Sequence, residues 1–299
     1  MDLKVWISAA RLRTLPLALS SILFGTAAAI YHGFFTWQIF TLALLTTICL
    51  QVLSNYANDY GDAISGKDNE ERIGPSRAVY SGEISKKSML NAVVLFSFLS
   101  LLSGLALLFL AFRENWVYLL IFLLIGIAAI AAAITYTMGE NPYGYNGLGD
   151  VFVFLFFGLV GVIGSFFLFS KSLEITVIFP AVSAGLLSVA VLNFNNMRDI
   201  ENDARTGKRT FAVRIGLQGA KQYQYLLVVS AFLSLIAFAL FEKFRLQQYL
   251  FLLLMPLFAQ MIKSMIKINK PAEFDPFLKK TALGTFGLSI LFLLSVLIG

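Results

Sequence analysis

The chain has 299 residues, 58% of them hydrophobic and 13% charged, with a mean hydropathy of +0.79 and a formal net charge of +6. Soluble globular chains carry roughly a quarter charged residues, so a single water-exposed domain is excluded and the bilayer becomes the solvent. One cysteine, Cys49, and one histidine, His32, exclude a disulfide framework and a multi-cysteine metal site, and argue against a histidine zinc site or a Ser-His-Asp triad.

Residues 1–16 carry Lys4, Arg11 and Arg13 ahead of the first apolar run, with no small-residue cleavage site. They read as an amphipathic lead-in at the membrane surface rather than a cleavable signal. A spanning helix needs about 20 apolar residues. Nine segments qualify: 16–31, 37–55, 88–112, 116–136, 151–170, 175–195, 222–241, 248–266 and 281–298. The expected fold is all-α, a polytopic bundle of about nine transmembrane helices forming one domain over 1–299.

Nine spans alternate the loops between two sides. Of the 23 basic residues, all but Arg113, Lys171, Lys243 and Arg245 fall on the N-terminal side. That asymmetry follows the positive-inside rule. It predicts a multi-pass protein of the cell (plasma) membrane with its N-terminus in the cytoplasm, and it accounts for the net charge without nucleic acid. The long polar loops 56–87 and 196–221 and the nearly uncharged loop 137–150 lie on that same side, so the chemistry is expected there.

The second span runs into Asn55, Asn58, Asp59 and Asp62, followed by Gly66, Lys67 and Asp68. If the helix continues, Asn55, Asp59 and Asp62 share one face. The sixth span does the same with Asn195, Asn196, Arg198, Asp199 and Asp203, followed by Thr206, Gly207 and Lys208. Asn195, Asp199 and Asp203 are four apart, again one face.

The two segments align in either of two registers. One matches Asn58 and Asp62 with Asn195 and Asp199. The other, shifted by four, matches Asp62, Ser65, Gly66 and Lys67 with Asp203, Thr206, Gly207 and Lys208. Both imply an internal repeat, with pseudo-repeats at roughly 16–136 and 151–266 and a ninth helix at 281–298.

Paired carboxylates at a membrane helix end repel and are costly to desolvate, and a cation between them relieves both. Oxygen-only ligands favour Mg²⁺ or Ca²⁺ over zinc. Asp59, Asp62, Asp199 and Asp203 are the candidate metal ligands and catalytic carboxylates, with Asp68 as a further metal candidate. Arg72, Arg77, Arg198, Lys208 and Arg209, with Asn55, Asn58, Asn195 and Asn196, are candidates for holding phosphate. Mg²⁺ commonly joins one or two carboxylates to substrate phosphates, and the membrane setting points to a polyprenyl diphosphate. The Gly207-Lys208-Arg209-Thr210 run lacks the upstream strand and glycine of a phosphate loop.

These motifs resemble the UbiA-type intramembrane prenyltransferases. The resemblance spans nearly the whole chain and rests on Arg11 to Pro16, Ser54 to Asp62, Arg72 to Arg77, Ala133 to Thr137, Pro142 to Asp150, Phe156 to Gly158, Leu192 to Asp199 and Gly207 to Thr210. Arg72-Ile73-Gly74-Pro75 and Pro142-Tyr143-Gly144-Tyr145 point to the branch that acts on 1,4-dihydroxy-2-naphthoate in menaquinone biosynthesis. The resemblance implies a cavity open to lipid, Mg²⁺ as cofactor, and transfer of a polyprenyl chain from its diphosphate to the naphthoate with decarboxylation, giving demethylmenaquinol.

The chain departs from the wider pattern at Gly66, where many relatives carry a third Asp; Asp68 follows two residues on. The acceptor is expected near Tyr136, Tyr143, Tyr145 and Asn146, with Asp150 as a base or an anchor; an interfacial aromatic belt would place the same tyrosines there. Other acceptors (hydroxybenzoate, homogentisate, haem, a glycerol phosphate) are the alternatives. A secondary transporter is the rival from another class, disfavoured because the carboxylates sit at span ends rather than the bilayer midplane.

Overall fold

The computed structural model describes residues 2–69, 73–74 and 77–299, and among these there is helix and loop but no strand. A surface helix α1 (Leu3–Ala9) leads through a 3₁₀ turn (Leu12–Thr14) into α2 (Leu15–Tyr31). Then come α3 (Trp37–Ile64), α4 (Lys86–Phe112), α5 (Trp116–Thr135), α6 (Gly149–Ser170), α7 (Ile178–Arg198), the short α8 (Ile200–Arg205), α9 (Phe211–Phe241), α10 (Met255–Ile266) and α11 (Asp275–Leu297).

Eight helical segments among the described residues are long and apolar enough to cross a membrane. The eighth of the nine expected spans is shorter than predicted. Leu250–Ile266 is an apolar segment of 17 residues or fewer, about 26 Å at 1.5 Å per residue against a ~30 Å hydrocarbon core. It opens as a 3₁₀ turn, Leu250–Leu254, and becomes α-helical only at Met255-Pro256. Proline supplies no N–H to the preceding turn, so it starts a helix rather than continuing one.

The spans pack around two groups of buried side chains that set the site. The main core joins α2, α4, α6, α7, α9 and α11 through residues such as Phe24, Phe166, Leu187, Phe238 and Phe292. A second joins α1, α3, α4 and residues 78–84, through Leu53, Tyr56, Ala57, Val79 and Met89. Small residues let backbones approach. A Cβ at Gly158 on α6 would lie 2.7 Å from the Ala181 carbonyl oxygen on α7, so only glycine permits that crossing. The Phe154–Ile163 stretch of α6 is wound as a π-helix, a form found mostly at functional sites.

Two sequence expectations about the motif helices part company here. α3 runs unbroken through the first acidic motif to Ile64, as expected. α7 instead stops at Arg198 and α8 restarts at Ile200, with Asp199 between them at φ −97°, ψ 8°. The i→i+4 amide bonds persist, Asp199 N to Asn195 O at 3.1 Å and Asp203 N to Asp199 O at 2.8 Å, so both aspartates still reach the same space.

Candidate active site

A cavity of about 900 Å³ runs through the bundle. Its wall is mostly apolar, and its polar end collects residues from both halves: Asn58, Asp62 and Arg77 from the first, Asn196, Asp199, Asp203 and Lys208 from the second. Apolar length capped by charge suits an amphiphile with an anionic head.

Asp62, at 2% exposure, is the hub. Its Oδ1 accepts from the Tyr145 hydroxyl at 2.5 Å and from Lys208 Nζ at 3.2 Å, and its Oδ2 pairs with Arg77. Lys208 Nζ also lies 3.9 Å from Asp203 Oδ1, so one ammonium sits between the carboxylates of the two motifs. Arg77 reaches Asp68 Oδ1 as well, at 3.4 Å. Burial alone would lower the Arg77 guanidinium, but the Asp62, Asp68 and Asp59 carboxylates outweigh it and hold it above its ordinary value. Burial, then the Asp62 charge, pushes the Tyr145 hydroxyl well up, so it stays a proton donor.

The loops that follow the motifs interlock. Lys67 donates to the Thr206 carbonyl, and Asn69 donates to Asn202 at 2.9 Å. The two turns are alike residue by residue. Ser65 and Thr206 hydroxyls bond the carbonyls four residues back, Gly61 and Asn202; Gly66 and Gly207 have φ of 67° and 76°; and the amides of Lys67 and Lys208 return to the carbonyls of Asp62 and Asp203. That likeness follows the register shifted by four.

The five carboxylates proposed as metal ligands do not form one cluster. Among the described residues no three Asp, Glu, His or Cys side chains converge as a ready cation cage. Asp59 points away from the cavity and accepts from the amides of Ala78 and Val79, at 3.1 Å each. It therefore anchors the segment that carries Arg77. Asp68 lies behind Arg77 and off the cavity wall. Asp199 lines the cavity but is gripped by Arg198 through Nε at 2.9 Å and a second nitrogen at 2.7 Å. Asp62 and Asp203 are the pair, one from each motif, that share a cavity-lining cation, Lys208.

The phosphate candidates divide likewise. Asn58, Asn196, Arg77 and Lys208 line the polar end. Asn55 and Asn195 reach the wall but are committed: Asn55 donates to the Ala10 carbonyl and to Thr14, and Asn195 accepts from Arg198. Arg198, 1% exposed, does not line the cavity, because it is spent on Asp199, Asn195 and, at 2.6 Å, Asp275 at the start of α11. Arg72 lies outside the described residues. Arg209 serves through its backbone, its amide donating to the Tyr145 carbonyl at 2.7 Å.

Of the aromatic candidates, Tyr136, Tyr143 and Tyr145 all line the cavity beside the charged end. Tyr136 meets Tyr143 edge-on at 5.3 Å, and Tyr143 stacks on Phe152 at 4.1 Å. Gly61 makes this possible: its missing Cβ would sit 2.5 Å from Thr137 Oγ1, so loop 137–145 closes directly onto α3. Asn146 and Asp150 stand off the cavity. Asn146 braces its own turn by donating to the Pro142 carbonyl, and Asp150 lies beside Tyr223 on α9.

Sequence reasoning left out the N-terminal wall. Arg11, Arg13 and Thr14 line the cavity, placed by Gln51 and Asn55, which both donate to Thr14 at 3.1 Å. Two arginines just before the first span were the available signal. Asp275 was missed because it is far in sequence from either motif.

Residues 18–280 match the UbiA prenyltransferase family. The chain belongs to that family. It is 46% identical to the 1,4-dihydroxy-2-naphthoate octaprenyltransferase of Haemophilus influenzae, over 99% of this chain and 97% of that protein. It is 41% identical to the enzyme of the same name from Escherichia coli, over 98% and 95%. Its fold matches a solved UbiA homolog from Archaeoglobus fulgidus bound to GPP and Mg²⁺, with a TM-score of 0.62 at 18% identity, covering 97% of this chain and 98% of that one. As a UbiA-family protein with eight long apolar helices among its described residues, it is a multi-pass membrane protein.

Proposed function

We propose that this chain transfers a polyprenyl group from polyprenyl diphosphate to 1,4-dihydroxy-2-naphthoate with loss of CO₂, giving demethylmenaquinol. The observation that carries this is the convergence of Asp62 and Asp203 on one cation at the head of a long apolar cavity. The naphthoate acceptor is supported by relatives of that name aligned over nearly the full length. The placing of the protein in the cell membrane, with the N-terminus and the charged end cytoplasmic, rests on the distribution of Lys and Arg. The likeness of the turns at Gly66 and Gly207 supports two pseudo-repeats within a single domain.

The donor set fits a magnesium ion. Mg²⁺ asks for one or two carboxylates plus substrate phosphates, and Asp62 and Asp203, with Asn58 and Asn196 beside them on the cavity wall, offer oxygen ligands alone; the Asn58 oxygen also accepts from Thr137 at 3.2 Å. Bound there with the donor, Mg²⁺ would supply Lewis-acid neutralisation of the leaving diphosphate.

The chain's own residues do the rest. Arg77 and Lys208 offer charge-assisted donors to the phosphates as negative charge grows on the leaving oxygen. The allylic C–O bond breaks, its electron pair leaving with the diphosphate. The rings of Tyr136, Tyr143 and Tyr145 line the cavity beside the charged end, where they shelter the allylic cation, which aromatic rings stabilise. The naphthoate carbon bearing the carboxylate forms the new C–C bond; CO₂ then departs and its bonding pair restores the ring. The apolar wall excludes water, which would otherwise capture the cation as an alcohol.

The test is prenyl transfer by the purified protein in detergent, with 1,4-dihydroxy-2-naphthoate, polyprenyl diphosphate and Mg²⁺. Metal-dependent product with CO₂ release, lost in EDTA and in Asp62→Asn, is expected. Product with hydroxybenzoate but not with the naphthoate would overturn the acceptor.

A further inference from the structure

A second cleft, of about 380 Å³, lies between α9 and α10 and shares no lining residue with the cavity that holds Asp62. α9 lines it with Gln218, Lys221, Gln222 and Leu226, and α10 with Ile262 and Ile266. Lys221, 5% exposed, is the charged group in its wall. Its ammonium donates to the main-chain carbonyls of Ile266, at 3.3 Å, and Ile268, just beyond the end of α10. Those carbonyls offer the negative end of a helix dipole, about half an elementary charge. Among the described residues no Asp or Glu pairs with Lys221. An ammonium has three N–H donors, so one N–H and about half a charge remain uncompensated. A buried charge is costly unless it is paired, and an anion in the cleft would take up both.

The cleft is polar at one end and apolar at the other. α9 starts three residues after Lys208, at the charged end of the main cavity, so Lys221 is the nearer to that face. Leu226 lies five residues further along, about 7.5 Å at 1.5 Å per residue, and both it and Ile266 are exposed on the outside of the bundle. The surroundings are basic: Lys263 and Lys267 each follow a lining residue of α10, and Lys270 comes shortly after, all three exposed.

We infer that this cleft binds the headgroup phosphate of an anionic phospholipid, with Lys221 as its charged donor. The amides of Gln218 and Gln222 flank Lys221 on the same face of α9 and can donate to the same phosphate. Leu226 and Ile262 then lie along the first part of an acyl chain. A free phosphate ion would use the donors and leave the apolar wall unused. A zwitterionic lipid would bring its own ammonium toward Lys263 and Lys267. An anionic lipid satisfies both ends, and basic pockets between membrane helices are where such headgroups dock. The inference concerns binding alone, so it stands apart from the choice of prenyl acceptor.

Gln218 allows a discriminating substitution. It precedes Lys221 by three residues, one turn away, and an acid ahead of a lysine is the favoured order on a helix. Gln218→Glu thus supplies the counter-charge from within the chain, whereas Lys221→Met removes the ammonium.

The experiment titrates delipidated protein in detergent with dioleoylphosphatidylglycerol, dioleoylphosphatidylcholine or inorganic phosphate, and reads binding from the midpoint of thermal unfolding. Phosphatidylglycerol should bind the unaltered protein about tenfold tighter than phosphatidylcholine, the scale of one charge-assisted hydrogen bond. The ratio should fall to about twofold in Lys221→Met and in Gln218→Glu. With phosphatidylcholine alone, Gln218→Glu should also unfold at a higher temperature than the unaltered protein. A ratio that stays above about fivefold in both variants overturns the inference. Equal stabilisation by inorganic phosphate overturns the lipid as occupant. A shift from dimer to monomer that accompanies the lost preference, read by light scattering, would make a second copy of the chain the occupant and overturn it too. If Lys221→Met does not purify as a folded protein, Gln218→Glu decides alone.

Discussion

Lys208 Nζ lies 3.2 Å from Asp62 Oδ1 although 146 residues separate them, and 3.9 Å from Asp203 Oδ1. A side chain from the second half thus neutralises the central carboxylate of the first. A hydrogen bond from a charged donor contributes about 1.5–3 kcal/mol. Lys208→Met, which removes such a donor from the leaving phosphate, should lower kcat/KM for prenyl transfer by about 10–100-fold, read in the detergent assay with saturating Mg²⁺. A loss below threefold would mean that Lys208 is a bystander.

Asp59 should behave differently from Asp62. Its two oxygens accept the amides of Ala78 and Val79, so an amide in its place sets an NH₂ against an N–H. A buried donor left unsatisfied costs about 1–3 kcal/mol. Asp59→Asn should lower the unfolding midpoint and reduce activity by releasing Arg77. Because that route runs through Arg77, the double variant with Arg77→Ala should be no less active than Arg77→Ala alone. Additive losses would place Asp59 in direct contact with substrate.

The acceptor wall depends on Gly61. Alanine there brings a methyl within 2.5 Å of Thr137 Oγ1 and 2.6 Å of its carbonyl, and loop 137–145 must lift. Tyr145 then loses its 2.5 Å bond to Asp62. Gly61→Ala should raise KM for the naphthoate several-fold more than KM for the diphosphate. Equal effects on both would indicate a general loss of folded protein.

Lys171 gives a pH signature remote from the chemistry. Burial pushes its ammonium down from 10.5 to about 8. Between these values the unfolded chain holds the proton and the folded one has released it, so stability rises as pH increases through that window. The midpoint of unfolding should climb between pH 8 and 10 in the unaltered protein, and climb less in Lys171→Met. Identical slopes would show that Lys171 does not titrate there.

Much of this was legible in the sequence, and the exceptions share a cause. The apolar runs fix the spans because the bilayer demands length and hydrophobicity together, and α3 carries Asp62 to the cavity because nothing in 37–64 breaks it. Helical spacing predicted that Asp59 and Asp62 share a face, but spacing cannot say which backbone amides will claim a carboxylate first. Ala78 and Val79 claim Asp59; Arg198 claims Asp199 and, in doing so, removes itself from the phosphate site. The shortened eighth span was readable at Pro256. The N-terminal wall was readable at Arg11 and Arg13, just before the first span, whereas Asp275 was not, because its place depends on how distant spans meet.

Arg198 ties Asp199 to Asp275, and Asp275 opens the last helix, α11. Arg198 holds Asp199 through Nε and one terminal nitrogen and Asp275 through the other, so the second acidic motif and α11 are fastened to a single guanidinium, and a shift of that helix is felt at Asp199.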